Sequence, residues 1–172
     1  MSTFQFSKIY DEHANLVFNV CLNYLQNNQD AEEVTQDVFV AVHEGLDGFN
    51  NNSQLKTWLY RIAVNKCLDF LKSKRRKKRF GFHLFIRTDV EEDAGVFSTF
   101  NHPGAILENK EATEQLFRII NDLPNRQKTA LLLRITEDLS VVEIADVMEL
   151  TAKAVESLLS RARGNLKNKL NN

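Results

Sequence analysis

Glycine and proline are scarce in this chain of 172 residues, six of one and two of the other. An all-β architecture spends such residues at every reversal, so their scarcity points to helices. No run approaches the roughly 18 consecutive apolar residues that span a bilayer. Met1 to Gln5 has neither the basic start nor the apolar centre of a secretory leader. A cytoplasmic setting without membrane insertion is therefore expected. Only two cysteines occur, Cys21 and Cys67, each among apolar residues at helical spacing and outside any CxxC pair. Reduced core thiols are the expectation. His13, His43, His83 and His102 lie too far apart for metal-ligand spacing. There is no glycine-rich phosphate loop, GxSxG, HExxH or Cys/His grouping. No catalytic residue, metal or cofactor is expected, and the chain reads as a non-enzyme.

Positive charge is missing from a long stretch. Residues 9–55 hold no Lys or Arg and eight acids, a net of −8. Residues 72–79 carry seven basic side chains and no acid, a net of +7, and residues 151–172 carry five bases against Glu156, a net of +4. The overall charge of −1 thus conceals opposite blocks. Such segregation implies different partners for different surfaces. With 43% hydrophobic residues the chain has material for a core and is not disordered as a whole.

Apolar spacing predicts a helix over residues 8–26, with Ile9, Leu16, Val17, Val20, Cys21 and Tyr24 inward and Ser7 as its cap. A second helix runs from a capping box at Asp30 and Glu33 to about Leu46, with Val34, Val38, Ala41 and Val42 inward. A loop of Asn and Ser follows. A third helix begins near Leu55 and reaches the basic run, burying Leu59, Ile62, Ala63, Cys67, Phe70 and Leu71. Residues 4–79 form one helical domain on this reading. Residues 80–110, with glycines, an acidic cluster, scattered phenylalanines (among them Phe82, Phe85, Phe97 and Phe100) and no sustained period, read as a flexible linker. Helical spacing returns at 111–170 in four helices. The fold class is all-α: two small helical domains joined by that linker, the second ending in a helix-turn-helix.

Three constellations carry functional meaning. The first is residues 141–160. Ala145 is the small residue where two helices cross, Leu150 anchors the turn, and Val155 and Leu158 pack the second helix. Thr151 caps that helix, which is basic toward its end, as phosphate contact requires. Thr151, Lys153, Ser157, Ser160 and Arg161 are the expected duplex-contacting residues; a hairpin that merely packs is the bland alternative. Glu149 stands where such turns usually take Gly. A left-handed residue with a side chain costs on the order of 1 kcal/mol, so the turn is expected to differ slightly.

The second constellation is the polar stripe Arg61, Asn65, Lys66 and Lys72, leading into Arg75 and Arg76, beside a loop holding Asn52 and Ser53. Amides bond base edges and cations pair with phosphates. Trp58 either stacks on an unpaired base or anchors the core. The third is the acidic helix, whose exposed side carries Glu33, Gln36 and Asp37. A solvated face is its ordinary reading. Complete absence of positive charge is better explained by a protein partner, because such a surface repels nucleic acid.

Taken in order, these segments resemble bacterial RNA polymerase sigma factors of the extracytoplasmic-function (ECF) group. The resemblance rests on Asp30-Ala-Glu-Glu-Val-Thr-Gln-Asp-Val-Phe39, on Thr57-Trp-Leu-Tyr-Arg-Ile-Ala-Val-Asn65 with Asp69, and on Leu123-Pro124. It continues through Glu143-Ile-Ala145 to Val155 and Arg161-Ala-Arg163. It implies a dissociable polymerase subunit for promoter recognition, −10 strand opening and transcription initiation. Glu33, Gln36 and Asp37 would dock on the clamp coiled coil of the largest subunit of core RNA polymerase. Residues 49–55 with Arg61, Asn65 and Lys66 would open the −10 element of promoter DNA and hold an unpaired base. The linker would thread the cleft toward the RNA exit path, and the C-terminal domain would sit on the flap and read the −35 element. Many such factors are held inactive by an anti-sigma factor. One departure stands out: Glu156 and Leu158 occupy positions where the family commonly has basic residues. An acid there repels phosphate yet can accept from a cytosine amino group. Two other readings remain on the residues alone. One is a helix-turn-helix regulator that binds duplex DNA without polymerase. The other is an enzyme of nucleic-acid metabolism, for which no paired titratable groups are visible.

Overall fold

Apolar residues three and four apart in the first half close onto one another as three helices. The computed structural model describes residues 3–49, 54–84 and 110–170. Among them the first domain comprises α1 (Thr3–Leu25), α2 (Asn28–Gly45), a short 3-10 turn (Leu46–Gly48) and α3 (Leu55–Leu84). Val17, Val20, Cys21, Val34, Val38, Val42, Leu59, Ala63 and Cys67 meet in its centre, all buried. They recur at the helical period on each element, which is why three amphipathic helices suffice for a core. Cys21 and Cys67 hydrogen-bond to each other there. That bond, together with burial, pushes the Cys67 thiol up and keeps it protonated, so it is an inert core group rather than a nucleophile.

Helix ends differ in three places from expectation. α1 begins at Thr3, so Ser7 lies inside it and does not cap it. α2 is capped by Asn27, whose side chain accepts from the Asp30 backbone N–H at 2.9 Å, and not by Asp30. The cause lies one residue earlier. Gln26 takes a left-handed conformation, φ 57°, donates its backbone N–H to the Leu22 carbonyl at 2.8 Å and its amide to the Asn23 carbonyl at 2.6 Å. This closes α1 abruptly and leaves Asn27, extended, as the first residue able to cap. Third, α3 runs past the expected boundary at 79 and stays helical to Leu84. A lone glycine, Gly81, costs only about 1 kcal/mol against alanine and does not stop it. The remainder of the expected linker, residues 85–109, lies outside the described residues.

The second domain comprises α4 (Lys110–Asn121), α5 (Asn125–Ile135), α6 (Val141–Met148) and α7 (Ala152–Leu170). α5 and α6 pack on α7 around Leu132, Leu133, Ile144, Val155 and Ala162, all buried. Ser140 and Glu143 form a capping box at the start of α6. The Ser140 hydroxyl accepts from the Glu143 N–H at 3.2 Å, and the Glu143 carboxylate accepts from the Ser140 N–H at 2.8 Å. These bonds hold the Glu143 carboxyl below its ordinary range. The turn after α6 corrects an expectation. Glu149 adopts φ 55° and ψ 46°, the left-handed geometry itself, and the Leu150 N–H reaches back to the Ala145 carbonyl at 3.0 Å. The turn is therefore not altered to suit a side chain; Glu149 accepts the strain. On α7, Val155, Leu159 and Ala162 are the buried row, and Leu158 is only half-buried at its edge. The inward row runs 155–159–162 because those positions share one helical face.

The two domains meet along a polar seam. α3 lies against α6. Asn23, Gln26, Lys128 and Thr129 are the buried polar residues among those described, and they cluster where the end of α1 meets α5. Lys128 donates to the Tyr24 carbonyl at 3.0 Å and to the Asn121 side chain at 2.6 Å. Its ammonium thus serves as the cation at the C-terminus of α1, a helix with no basic residue in its own last turn.

Candidate nucleic-acid and partner interfaces

The acidic face forms on α2. Alternation of buried Val34 and Val38 with the positions between them turns Glu33, Gln36 and Asp37 outward, all exposed. Val40 continues that side of the helix and is 56% exposed.

The second face forms on α3. Trp58 is half-buried; its ring stacks on Phe49 at 4.7 Å between centroids with 26° between planes. On its other flank the indole lies over Gly45, where a Cβ would come within 3.1 Å of the ring. Any side chain at position 45 would press on the indole. Trp58 thus packs against both Phe49 and Gly45. Asn52 and Ser53 lie outside the described residues. Asn65 is exposed and Lys66 half-buried. Further along, Lys72 pairs with Asp69 at 3.2 Å, and Lys74 pairs with Asp30 at 2.6 Å while lying over the Phe70 ring. Arg75 and Arg76 are exposed. Arg61 is the exception on this stripe. It reaches across the seam to Glu149 at 2.9 Å and donates to the Asp146 carbonyl at 2.7 Å. The preceding residue, Tyr60, donates its hydroxyl to Glu137 at 3.1 Å. Burial is the main cause that raises the Tyr60 hydroxyl above its ordinary range, and the Glu137 charge adds to it.

The third face forms on α7. Thr151 caps the helix, accepting from the Ala154 N–H at 3.2 Å. With Val155, Leu159 and Ala162 inward, Lys153, Ser157, Ser160 and Arg161 are all exposed. Glu156, Ser160 and Arg163 share a further row with Arg134 and Ser140 around a cavity of about 440 Å³. Glu156 thus lines the same cavity as Arg134 and Arg163.

The expected residues thus occupy three separate surfaces and not one pocket. The α3 stripe and the helix-turn-helix are nevertheless brought together, because Arg61 of one touches the turn of the other. Sequence reasoning did not single out Glu137, Asp146 or Lys128. Each acts through a partner more than 75 positions away, and no local spacing marks it. Among the described residues no group of His, Cys, Asp and Glu is arranged to hold a metal, and no helix is long and apolar enough to cross a membrane.

Two helical domains, one with a polar and basic helix face and one with an exposed, capped recognition helix, define a nucleic-acid-binding protein of the sigma-70 type. The sigma-70 region 2 family matches residues 9–77 and the sigma-70 region 4 family matches residues 113–166. These correspond to α1–α3 and α4–α7. The chain is 32% identical over 141 residues to the ECF RNA polymerase sigma-E factor of Escherichia coli, covering 82% of this chain and 74% of that one. It is 27% identical over 169 residues to the ECF RNA polymerase sigma factor SigW of Bacillus subtilis, covering 96% and 88%. The chain belongs to the ECF RNA polymerase sigma factors, and its function is promoter recognition in transcription initiation. The fold is shared with CnrH, solved in complex with the cytosolic domain of CnrY, at TM-score 0.68 and 22% identity over 99% of this chain and 90% of that one. It is also shared with RpoE from Bartonella quintana, solved in complex with the anti-sigma factor NepR, at TM-score 0.68 and 20% identity over 97% of each chain.

Proposed function

We propose that this cytoplasmic, non-catalytic sigma factor divides its work among its three faces. Glu33, Gln36 and Asp37, joined by Val40, dock on the clamp coiled coil of the largest polymerase subunit. Residues 49–55 together with Trp58, Arg61, Asn65 and Lys66 hold the opened −10 strand. Lys72, Arg75 and Arg76 contact its phosphates. Thr151, Lys153, Ser157, Ser160 and Arg161 contact the −35 duplex while the second domain rests on the flap. An anti-sigma protein is a further partner, consistent with the complexes in which two proteins of this fold were solved.

The observation that carries this reading is the separation of exposed charge within the first domain: a purely acidic α2 face beside a basic end of α3. The acidic face repels nucleic acid and attracts a basic protein surface, and the basic helix does the reverse. Unstacking a base step costs a few kcal/mol. Phosphate contacts and capture of an unpaired base offset that cost, so no bond need be made or broken by the protein. Transcription with core polymerase on a library of genomic promoters, with and without this chain, tests the whole. Specific initiation should appear only with the chain present. Asn65→Ala should lower open-complex formation, read by permanganate footprinting, more than closed-complex binding. Equal loss of both would make Asn65 a structural residue only.

A further inference from the structure

We propose that Arg61 and Glu149 form an intramolecular latch: in the free chain the turn of the helix-turn-helix holds the arginine of the α3 strand-contacting face, so strand contact requires the two domains to part. The functional half of this statement rests on the assignment of the α3 face proposed above. The latch itself rests on geometry.

Arg61 makes two contacts to the same turn. One is to the Glu149 carboxylate at 2.9 Å. The other is to the Asp146 carbonyl at 2.7 Å, a C-terminal carbonyl of α6 with no partner further along its own helix. Both the carboxylate and the negative end of the helix favour a guanidinium at this point. Glu149 reaches it from φ 55°, a conformation that glycine adopts without strain and other residues do not. Glycine would relieve the turn but has no carboxylate to offer Arg61. Around the contact, Arg61, Asn65, Arg126, Thr129, Met148 and Glu149 line a cleft of about 210 Å³. It lies between the α3 face and the helix-turn-helix. While it is closed, a phosphate or base edge competes for the Arg61 guanidinium with Glu149 and the Asp146 carbonyl.

The pair is graded in strength. Glu149 is 70% exposed and Arg61 31%, so salt screens the contact. It biases closure and does not lock it, as a device that polymerase or DNA must undo requires.

The test uses the full chain with dyes at two exposed positions outside the three faces, Asn15→Cys and Lys167→Cys. Cys21 and Cys67 are fully buried and escape labelling. Single-molecule energy transfer then reads the open and closed populations. Glu149→Gly should raise the open-to-closed ratio about threefold while keeping or raising the thermal midpoint, because the turn is relieved. Glu149→Gln retains the left-handed side chain and loses only its charge; it should open the chain by a similar factor. About 0.5 M salt should open the unsubstituted chain and change Glu149→Gly less. Wild-type populations in both variants would overturn the latch. In the same variants, affinity for a 12-nucleotide single strand of deoxyadenosine and thymidine should rise about threefold. Opening without that gain would leave the latch intact and overturn the assignment of α3 as strand-contacting.

Discussion

Two arginines frame the difference between the domains. Arg161 stands exposed on α7, with no ion pair among the described residues. Arg61 stands on a helix of similar polar character, yet its guanidinium is already occupied by the other domain. The same side chain therefore has different availability for reasons outside its own helix. Along α3, Arg61 pairs with Glu149, Lys72 with Asp69 and Lys74 with Asp30, and exposed Arg75 and Arg76 follow directly. A basic surface is thus partly spent on holding the protein together. The recognition helix buries the row Val155, Leu159 and Ala162 and ties its end down through Asn165 to Gln127 and Lys169 to Asp122, but leaves Lys153, Ser157, Ser160 and Arg161 exposed.

The comparison can be broken most forcefully through the cores. Leu59→Ala and Leu132→Ala remove fully buried side chains from the first and second domains. Each should cost about 2–5 kcal/mol in chemical denaturation. One shared transition moving with either substitution would show that the seam couples the domains, and two independent transitions would show that it does not. Next in size is polymerase binding. Gln36→Ala with Asp37→Ala should weaken it by roughly 10- to 100-fold, or about 1.4–2.8 kcal/mol, measured by pull-down or anisotropy. Unchanged affinity would remove the acidic face from the docking surface.

Lys128 sharpens the comparison through pH. Burial lowers its pKa from 10.5 to about 8. Between those values the unfolded chain keeps a proton that the folded chain has released, so this site's contribution to stability rises with pH across that window. Denaturation of the unsubstituted chain at pH 7.5 and 9.5 should show this gain, and Lys128→Met should abolish it. The same slope in both proteins would assign it elsewhere. Salt gives a finer test: Arg161→Ala should lower the slope of log affinity against log salt for −35 duplex binding by about one. Arg61→Ala should leave that slope unchanged. Smallest is Ser140→Ala at the capping box of α6, at about 1 kcal/mol, read from the thermal midpoint.

Much of this was legible along the chain. All seven helices, the Thr151 cap, the helix-turn-helix anchors Ala145 and Val155 and the outward set on α7 follow from spacing of 3.6 residues and from the chemistry of helix ends, whereas the expected anchor Leu158 gave way to Leu159 and Ala162. The caps misplaced at Ser7 and Asp30 show the limit of that reading. Several polar residues near a helix start can each cap it, and the choice at α2 fell to Asn27 because Gln26 turned left-handed first. Glu149 shows a second limit. Its strain argued locally for an altered turn, whereas its partner lies on another domain.

By itself the sequence determined the helices, the centres of their inward rows and the division of charge along the chain, because periodicity and net charge are properties of neighbouring residues; the flanks of those rows, at Ile62, Phe70, Leu71 and Leu158, are only half-buried. Tertiary structure alone decided that Arg61 meets Glu149, that Lys128 closes the end of α1 and that Tyr60 meets Glu137. Those pairs depend on how two domains cross, and a contact between residues some 77 to 104 positions apart leaves no periodic trace in either segment.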